Sequence, residues 1–145
     1  MEPLDRYLRE QATQDIRRRV TACYVAIDAE TRAIAGYYTL AAGAVLLSEL
    51  QPSLTKKLPR YPDVPVARLG RLAVDRNYRG RRLGAAMLWD AVERAMRSEI
   101  AVYALVVDAK DDQAAAFYKH HDFVALSEAR RHYVLPLIAR ARRPL

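Results

Sequence analysis

Hydrophobic and polar residues along this chain recur in blocks whose spacing alternates between that of strands and that of helices. Residues 68–74 alternate apolar and polar positions, which is typical of a strand with one buried face. Residues 75–78 have the composition of a turn. Beyond them the apolar positions take helical spacing at Ala85, Leu88, Ala91, Val92 and Ala95. The pattern therefore predicts a strand, a turn and a helix over 83–98.

The same spacings predict elements along the rest of the chain. Helices are expected over 4–19 and 112–121, and a shorter one over 46–50. A hairpin is expected from 20–27 and 34–40, a buried strand from 102–107, and a terminal hairpin from 123–126 and 133–137. Residues 41–65 contain several prolines and are predicted to be the loosest part of the chain. Tyr37 and Tyr38 are expected to be half-buried strand residues, with substrate contact by one of them as the alternative.

Overall composition indicates one globular domain, residues 1–145, because about half of its residues are hydrophobic (52%). The net charge of +7 favours an anionic partner, and solubility alone is the competing explanation. Cys23 has no second cysteine to pair with, and its apolar surroundings suggest a small buried hydrophobe. We expect a cytoplasmic protein, because the sequence shows neither a signal peptide nor an apolar run of about 18 residues.

The turn before the helix has the composition of a phosphate site. Between Arg76 and Arg82 it carries four arginines together with Gly80. The first amides of a helix lack internal partners and, with the helix dipole, attract anions. Glycine lets the backbone approach a ligand closely. A solvated basic face would explain the arginines alone, whereas a bound pyrophosphate explains the arginines and the glycine together.

Two further basic segments allow two interpretations each. Lys56, Lys57 and Arg60 make the loop after residue 50 basic, and this loop is either an ordinary surface loop or a contact to tRNA phosphate. Arg140, Arg142 and Arg143 end the chain, and this tail is either disordered or held by RNA. Trp89 lies off the apolar stripe of its helix, so partial core packing is favoured over a contact to a second subunit or an antitoxin.

The segment LGRLAVDRNYRGRRLGAAML resembles the acetyl-CoA-binding segment of the GNAT superfamily of N-acetyltransferases. That segment reads Arg/Gln-x-x-Gly-x-Gly/Ala, and here Arg79, Arg82 and Gly84 occupy its three defined places, with Arg82 replacing a glycine. The run Phe117-Tyr118-Lys119-His120-His121-Asp122-Phe123 resembles the family's closing helix. The segments GYYTL, LPRYP, GRLAVD and VDAK together resemble the GNAT toxins of bacterial type II toxin–antitoxin pairs, which acetylate the amino acid on charged tRNA.

The resemblance implies a GNAT fold, an α+β (α/β) architecture with a mixed, mostly antiparallel sheet flanked by helices and splayed at the acetyl-CoA site. Relative to the family, the first strand and helix are expected to be missing. It implies acetyl-CoA as co-substrate, aminoacyl-tRNA and a ribbon-helix-helix antitoxin as partners, and a homodimer. The implied acetyl-CoA-binding residues are Leu72, Ala73, Val74, Arg79, Gly80, Arg81, Arg82, Leu83, Gly84, Ala85, Asp111, Ala114 and Phe117.

Tyr118 is the implied general acid, placed to meet the sulfur of the thioester. A phenol with a pKa near 10 is a weaker acid than a thiol near 8.5, so a hydrogen bond to the developing thiolate is expected rather than full proton transfer. A backbone amide near Ala73 and Val74 is expected to meet the oxyanion. No general base and no metal-ligand spacing can be identified. An α-amine titrates near 8, so an ester-linked α-amine needs little help from a base, unlike a lysine side chain.

Three functions remain open at this point. The first is a toxin that acetylates aminoacyl-tRNA and blocks translation. The second is a GNAT enzyme that acts on a small amine or a protein N-terminus. The third is a regulatory module that binds acetyl-CoA or RNA without catalysis, against which Tyr118 argues.

Overall fold

The computed structural model describes residues 2–56, 58, 62–126 and 131–138. The helices are α1 (Glu2–Glu10), α2 (Ala12–Arg17), α3 (Pro52–Thr55), α4 (Leu83–Met96) and α5 (Asp112–His120). The strands are β1 (Ala22–Ile27), β2 (Ile34–Leu46), β3 (Asp63–Val74), β4 (Ala104–Asp108), β5 (Val124–Ala125) and β6 (His132–Pro136). The strands form one sheet in the order β1-β2-β3-β4-β6-β5.

The chain divides into two compact units, residues 1–41 with 69–94 and residues 42–68 with 95–145. The first unit holds α1, α2, the β1–β2 hairpin, the end of β3 and most of α4. Its buried cluster consists of Tyr7, Ala12 and Tyr37, and Leu8, Cys23 and Ala73 pack against it. Cys23 is therefore a partly buried residue at the edge of this core, because its environment is apolar but not closed.

The second unit has an aliphatic core. Its buried side chains come from four strands, from the segment after β2 and from the residue after β5. They are Val45, Leu50, Val64, Val66, Ala104, Val106, Leu126 and Val134. β6 pairs antiparallel with β4 and with β5. Val134 lies opposite Val106 in one pair and opposite Val124 in the other. The apolar run of β4 is buried from Ala104 to Val107, as its unbroken hydrophobic sequence predicts.

Most predicted elements are confirmed, and four predictions are corrected. The N-terminal helix is broken at Gln11, whose backbone leaves helical geometry. β2 continues to Leu46, so the residues after Leu40 that were predicted to be loop begin as strand. Tyr37 and Tyr38 are buried rather than half-buried, each with 2% of its surface exposed. The predicted short helix after residue 46 is a single 3-10 turn, Leu47–Glu49.

Some predictions lie outside the described residues. They concern Lys57 and Arg60 of the basic loop, part of the bend of the terminal hairpin, and the arginines at the end of the chain. Trp89 is partly buried and makes contacts within the chain, which agrees with the packing interpretation. Over the ranges that the structure describes, no helix is both long enough and apolar enough to cross a membrane.

Candidate functional site

The strand–turn–helix segment is fixed where β3 ends. The backbone amide of Asp75 donates to the carbonyl of Ala35 on β2, at 2.8 Å. The Asp75 carboxylate accepts from the amide of Asn77 at 2.9 Å and caps a 3-10 turn over Arg76–Tyr78. The aspartate thus supplies the acceptor that a short helical turn needs at its start. The chain enters the basic turn in a defined geometry.

The basic turn leads into α4 through two residues with left-handed backbone. Gly80 has φ of +79° and open space where a side chain would be, and Arg82 has φ of +59°. The carbonyl of Arg82 accepts from the amide of Ala86 at 3.1 Å, so Arg82 immediately precedes the helix. The amides of Leu83, Gly84 and Ala85 therefore have no carbonyl one turn earlier in the helix to bond. Beside these amides, Arg79 to Arg82 are exposed, which gives a cationic surface at the positive end of the helix dipole.

A hydrogen bond ties this turn to the β1–β2 hairpin. The hydroxyl of Tyr78 donates to the carboxylate of Asp28 at 2.6 Å. That bond lowers the pKa of Asp28, with help from the amides of Glu30 and Thr31, and it raises the pKa of Tyr78. The guanidinium of Arg81 lies 5.3 Å from the centre of the Tyr78 ring. The turn is therefore held by a side chain in its middle as well as by its ends.

The end of β3, residues 72–74, packs closely against β2 and α4. A Cβ atom built on Gly36 would lie 2.7 Å from the carbonyl oxygen of Ala73 and 2.8 Å from the Cε atom of Met87. Only glycine allows this approach, because the first of those contacts is with backbone. The position of Ala73 therefore depends on Gly36. The amide predicted to bind the oxyanion lies near Ala73.

Tyr38 is buried because α4 satisfies its hydroxyl. The hydroxyl donates to the carboxylate of Asp90, which also accepts from Nε of Arg94 at 3.0 Å. The guanidinium of Arg94 stacks on the ring of Tyr24, 4.0 Å from its centre. Burial would raise the pKa of Asp90, but the bonds from Tyr38 and Arg94 outweigh it and the pKa is lowered. Burial and the Asp90 bond raise the pKa of Tyr38. Tyr38 is thus committed to a structural bond, which does not support the alternative that this hydroxyl meets a substrate.

Tyr118 lies on α5, which begins at a well-formed cap. The carboxylate of Asp111 accepts from the amide of Ala114 at 2.8 Å, so Asp111 caps the helix. The ring of Tyr118 packs against Phe117 and Phe123, with centres 5.3 Å and 5.4 Å away. The side chain is nearly closed off from solvent, with 6% of its surface exposed.

The hydroxyl of Tyr118 differs from those of Tyr7, Tyr38 and Tyr78. Each of those three donates to an aspartate. Within the part of the chain that the structure describes, no hydrogen bond engages the Tyr118 hydroxyl. Burial alone raises the pKa of Tyr118 to about 12. The result is a phenol that stays protonated near neutral pH, with its ring held by packing and its hydroxyl able to donate to a ligand.

The predicted site residues form two local groups. Residues 72–74 and 79–85 lie together on the strand–turn–helix of the first unit, and residues 111, 114, 117 and 118 lie along the start and inner face of α5 in the second. Two features were not predicted. One is the bond from Tyr38 to Asp90, for which sequence gives no signal across fifty-two positions. The other is Arg71, whose place in a basic run was visible but whose contacts were not.

His, Cys, Asp and Glu side chains are the usual ligands of metal ions in proteins. Across the described ranges, no three or more of them are placed to hold a metal ion. The three histidines are close in sequence, and His132 pairs with Asp108 on the neighbouring strand. The described part of the chain thus offers a cationic turn and a buried phenol as its chemically distinctive features.

A strand–turn–helix that can hold a pyrophosphate, followed by a strand and a helix that carries a buried tyrosine, defines the class of acetyl-CoA-dependent acyltransferases. The model of the acetyltransferase (GNAT) family matches residues 2–123 of the chain. The chain belongs to the acetyltransferase (GNAT) family, and the predicted fold is confirmed.

Among characterised proteins, a relative from Mycobacterium tuberculosis (strain ATCC 25618 / H37Rv) is named a tRNA-acetylating toxin. It is 37% identical over 122 residues, which make up 83% of this chain and 71% of the relative. The resemblance to GNAT toxins is therefore confirmed over most of the chain.

Two solved structures resemble this chain in fold. AtaT complexed with acetyl-methionyl-tRNAfMet superposes with a TM-score of 0.89 and 27% identity, covering 97% of this chain and 85% of that one. A variant of the AtaT toxin bound to the C-terminus of the antitoxin AtaR and acetyl-CoA superposes with a TM-score of 0.76 and 23% identity, covering 96% and 81%. The second likeness supports the fold alone.

Proposed function

We propose that this protein transfers the acetyl group of acetyl-CoA to the α-amine of an aminoacyl-tRNA and thereby blocks translation. The observation that carries the proposal is the 37% identity, over 83% of the chain, to a protein named a tRNA-acetylating toxin. An amino acid with an acetylated α-amine can no longer accept a growing peptide, so the modified tRNA is lost to elongation.

The basic turn would hold the pyrophosphate of acetyl-CoA. The amides of Leu83, Gly84 and Ala85 and the left-handed Gly80 form a surface of N–H donors beside exposed arginines. Residues 72–74 would run beside the pantetheine arm, with an amide of Ala73 or Val74 directed at the thioester oxygen. Ala114 and Phe117 on α5 would pack against the same arm. Asp111 would act mainly through its cap, since Ala114 already engages one oxygen of its carboxylate.

The reaction would be a direct attack of the neutral amine on the thioester carbonyl. The new C–N bond forms, the tetrahedral oxyanion collapses, and the C–S bond breaks to release the thiolate of CoA. Tyr118 would donate a hydrogen bond to that sulfur as its negative charge develops. With a pKa of about 12, the phenol remains protonated throughout, so it stabilises the thiolate without transferring its proton outright.

The acceptor's own chemistry makes a strong base unnecessary. A free α-amine has a pKa near 8, and esterification of its carboxyl group lowers that value further. Most of the aminoacyl-tRNA is therefore already nucleophilic near neutral pH, and the proton lost after attack can pass to water. A lysine side chain, with a pKa near 10.4, would be mostly protonated and a poor acceptor.

The partners would follow from the same activity. A net charge of +7 would favour association with tRNA. A toxin of this kind would be neutralised by an antitoxin, which we propose to be of the ribbon-helix-helix type, in a cytoplasmic complex with a homodimeric toxin. We also propose that residues 1–145 act as one acetyltransferase domain.

Cell-free translation tests this function. Adding the protein and acetyl-CoA together should stop protein synthesis, and omitting acetyl-CoA should leave synthesis unchanged. Tyr118→Phe should inhibit far less at equal concentration. Equal inhibition with and without acetyl-CoA would contradict acetyl transfer and would favour sequestration of RNA.

A further inference from the structure

We propose that Arg71 binds a phosphodiester at the 3′ end of the acceptor tRNA and so positions the aminoacyl group for attack. The proposal rests on the proposed function. Arg71 directly precedes residues 72–74, which are proposed to bind acetyl-CoA. The argument for its role rests on the contacts that hold the guanidinium in place and on the availability of its N–H donors.

The guanidinium of Arg71 lies over an aromatic ring. Its central carbon lies 3.6 Å from the centre of the Tyr7 ring, which is close contact for a cation over a tyrosine face. Tyr7 is itself fixed, because it is buried with 4% of its surface exposed and its hydroxyl donates to Asp15 at 2.8 Å. Tyr7 also stacks with Tyr37, whose ring is nearly parallel at an interplanar angle of 14°. The arginine therefore rests on a rigid aromatic support.

The backbone of Arg71 is fixed as well. Its amide donates to the hydroxyl of Thr39, a residue of β2, at 3.0 Å. Thr39 is almost fully buried, with 1% of its surface exposed. Gly70 makes room for this bond, since a Cβ atom there would lie 2.7 Å from the Thr39 hydroxyl. The bond ties the backbone of Arg71 to a buried residue of the neighbouring strand.

Despite this support, the N–H donors of the guanidinium have no hydrogen-bond partner among the residues that the structure describes. In the described part of the structure, no carboxylate or carbonyl bonds or ion-pairs with the Arg71 side chain. The nearby Asp15 instead accepts from Tyr7. The side chain is only partly buried, so the edge of its guanidinium can reach a ligand. The Tyr7 ring covers the central carbon of the guanidinium. A guanidinium can form two parallel N–H bonds, which is the geometry that phosphate and carboxylate groups accept.

The location favours the acceptor as the source of this anion. Arg71 directly precedes residues 72–74, where the thioester is proposed to lie, and Ala73 packs against the same cluster as Tyr7. The attacking amine must reach that thioester, and it is joined by an ester to the terminal nucleotide of the tRNA. The reaction therefore brings the phosphodiesters near that nucleotide close to residues 72–74 and to Arg71. The other phosphates available, those of acetyl-CoA, share the same chemistry and have to be separated by experiment.

Steady-state kinetics with three acceptors that differ in their phosphodiester content test the proposal. The same α-amino acid is offered as an ester of adenosine without phosphate, as an ester of a CCA trinucleotide, and on intact tRNA. Arg71→Gln should raise KM about tenfold for the two acceptors that contain phosphodiesters. KM for the adenosine ester and KM for acetyl-CoA should be unchanged. The slope of log KM against log salt for tRNA should fall by about 0.7, the share of one phosphate contact on a single strand.

Three variants serve as controls. Arg32→Gln removes the same charge from an exposed position in the β1–β2 bend, and it should match the wild type on every acceptor. Tyr7→Phe keeps the ring under the guanidinium and should retain most of the affinity for tRNA. Arg71→Lys keeps the charge but loses the planar stack, and it should recover only part of the loss. Binding of uncharged CCA oligonucleotide, followed by fluorescence anisotropy, gives a second measurement that does not depend on turnover.

Three results would overturn the proposal. A higher KM for acetyl-CoA would assign Arg71 to the phosphates of that molecule. An equal loss on all three acceptors would make its role structural or directed at the amino acid. No loss of tRNA affinity and no loss of oligonucleotide binding would leave Arg71 without this function. Failure of the wild type to acetylate any aminoacyl-tRNA would instead refute the proposed function, while oligonucleotide binding would still report on Arg71.

Discussion

At the scale of single residues, Tyr118 differs from three other tyrosines, Tyr7, Tyr38 and Tyr78, in what its hydroxyl does. Tyr7, Tyr38 and Tyr78 each donate to an aspartate, and those bonds hold the fold together. Tyr118 is packed by aromatic rings and offers its hydroxyl without such a bond. Because the ring is held by packing and the hydroxyl remains available to a ligand, a catalytic role fits this group better than a structural one.

Removing that hydroxyl should slow the chemical step. We expect Tyr118→Phe to lower kcat about 100-fold, the lower end of what a positioned acid contributes. KM for acetyl-CoA should change little, because the packed ring remains. Tyr103→Phe is the matched control, since Tyr103 is a partly buried tyrosine of the same unit whose pKa is also raised by burial alone. Equal rates for wild type and Tyr118→Phe would show that the phenol does not take part.

The ionisation of Tyr118 gives a prediction about pH. Burial raises its pKa to about 12, so the folded state holds this proton more tightly than the unfolded state, where the value is near 10. The contribution of the protonated phenol to the free energy of unfolding is fully present below about pH 10 and is lost as the pH rises towards 12. The tyrosinate absorbance difference between wild type and Tyr118→Phe should therefore be absent at pH 10. A difference that titrates between pH 8 and 10 would contradict the buried phenol.

At the scale of elements, α5 depends on its first residue. The Asp111 carboxylate caps the helix through the amide of Ala114. We expect Asp111→Ala to lower the free energy of unfolding by about 1 kcal/mol, whereas Asp111→Asn, an equally good cap, should be nearly neutral. Urea unfolding of the three proteins measures this. Similar losses in the free energy of unfolding for Asp111→Ala and Asp111→Asn would mean that the negative charge near the helix start matters more than the cap bond.

The contact of β2 with β3 and α4 depends on Gly36. We expect Gly36→Ala to lower the free energy of unfolding by about 1–3 kcal/mol, because the new Cβ would meet the Ala73 carbonyl and Met87. Shortening the flexible partner in Gly36→Ala/Met87→Ala should not restore stability, since the backbone contact would remain. Thermal unfolding of the single and double variants measures this. Full recovery in the double variant would show that only the Met87 contact matters.

The elements also show what sequence could and could not predict. The strand, turn and helix around Arg79 were predictable because apolar spacing, glycine and arginine act locally. The end of β2 was missed because Ala41, Ala42 and Gly43 have small side chains with no strand signal, and pairing within the sheet decides their conformation. Burial of Tyr38 was missed because its partner, Asp90, lies on a distant helix. Contacts of this kind depend on tertiary packing, which no local pattern encodes.

At the scale of the whole molecule, charge and family membership point to the same class of substrate. The chain belongs to the acetyltransferase (GNAT) family, and its relative of 37% identity is named a tRNA-acetylating toxin. Its net charge of +7 would strengthen association with a polyanion and make that association sensitive to salt. Acetyl-CoA needs only a few phosphate contacts, whereas a tRNA can use a much larger basic surface.

The most direct test is transfer of labelled acetyl from acetyl-CoA to total charged tRNA, with uncharged tRNA as the control. We predict label on charged tRNA, released as an N-acetyl amino acid when the ester is hydrolysed, and none on uncharged tRNA. Sequencing the labelled pool would then identify the acceptor. No label on any charged tRNA, from a protein that binds acetyl-CoA, would contradict the proposed acceptor and point to a small amine or a protein N-terminus.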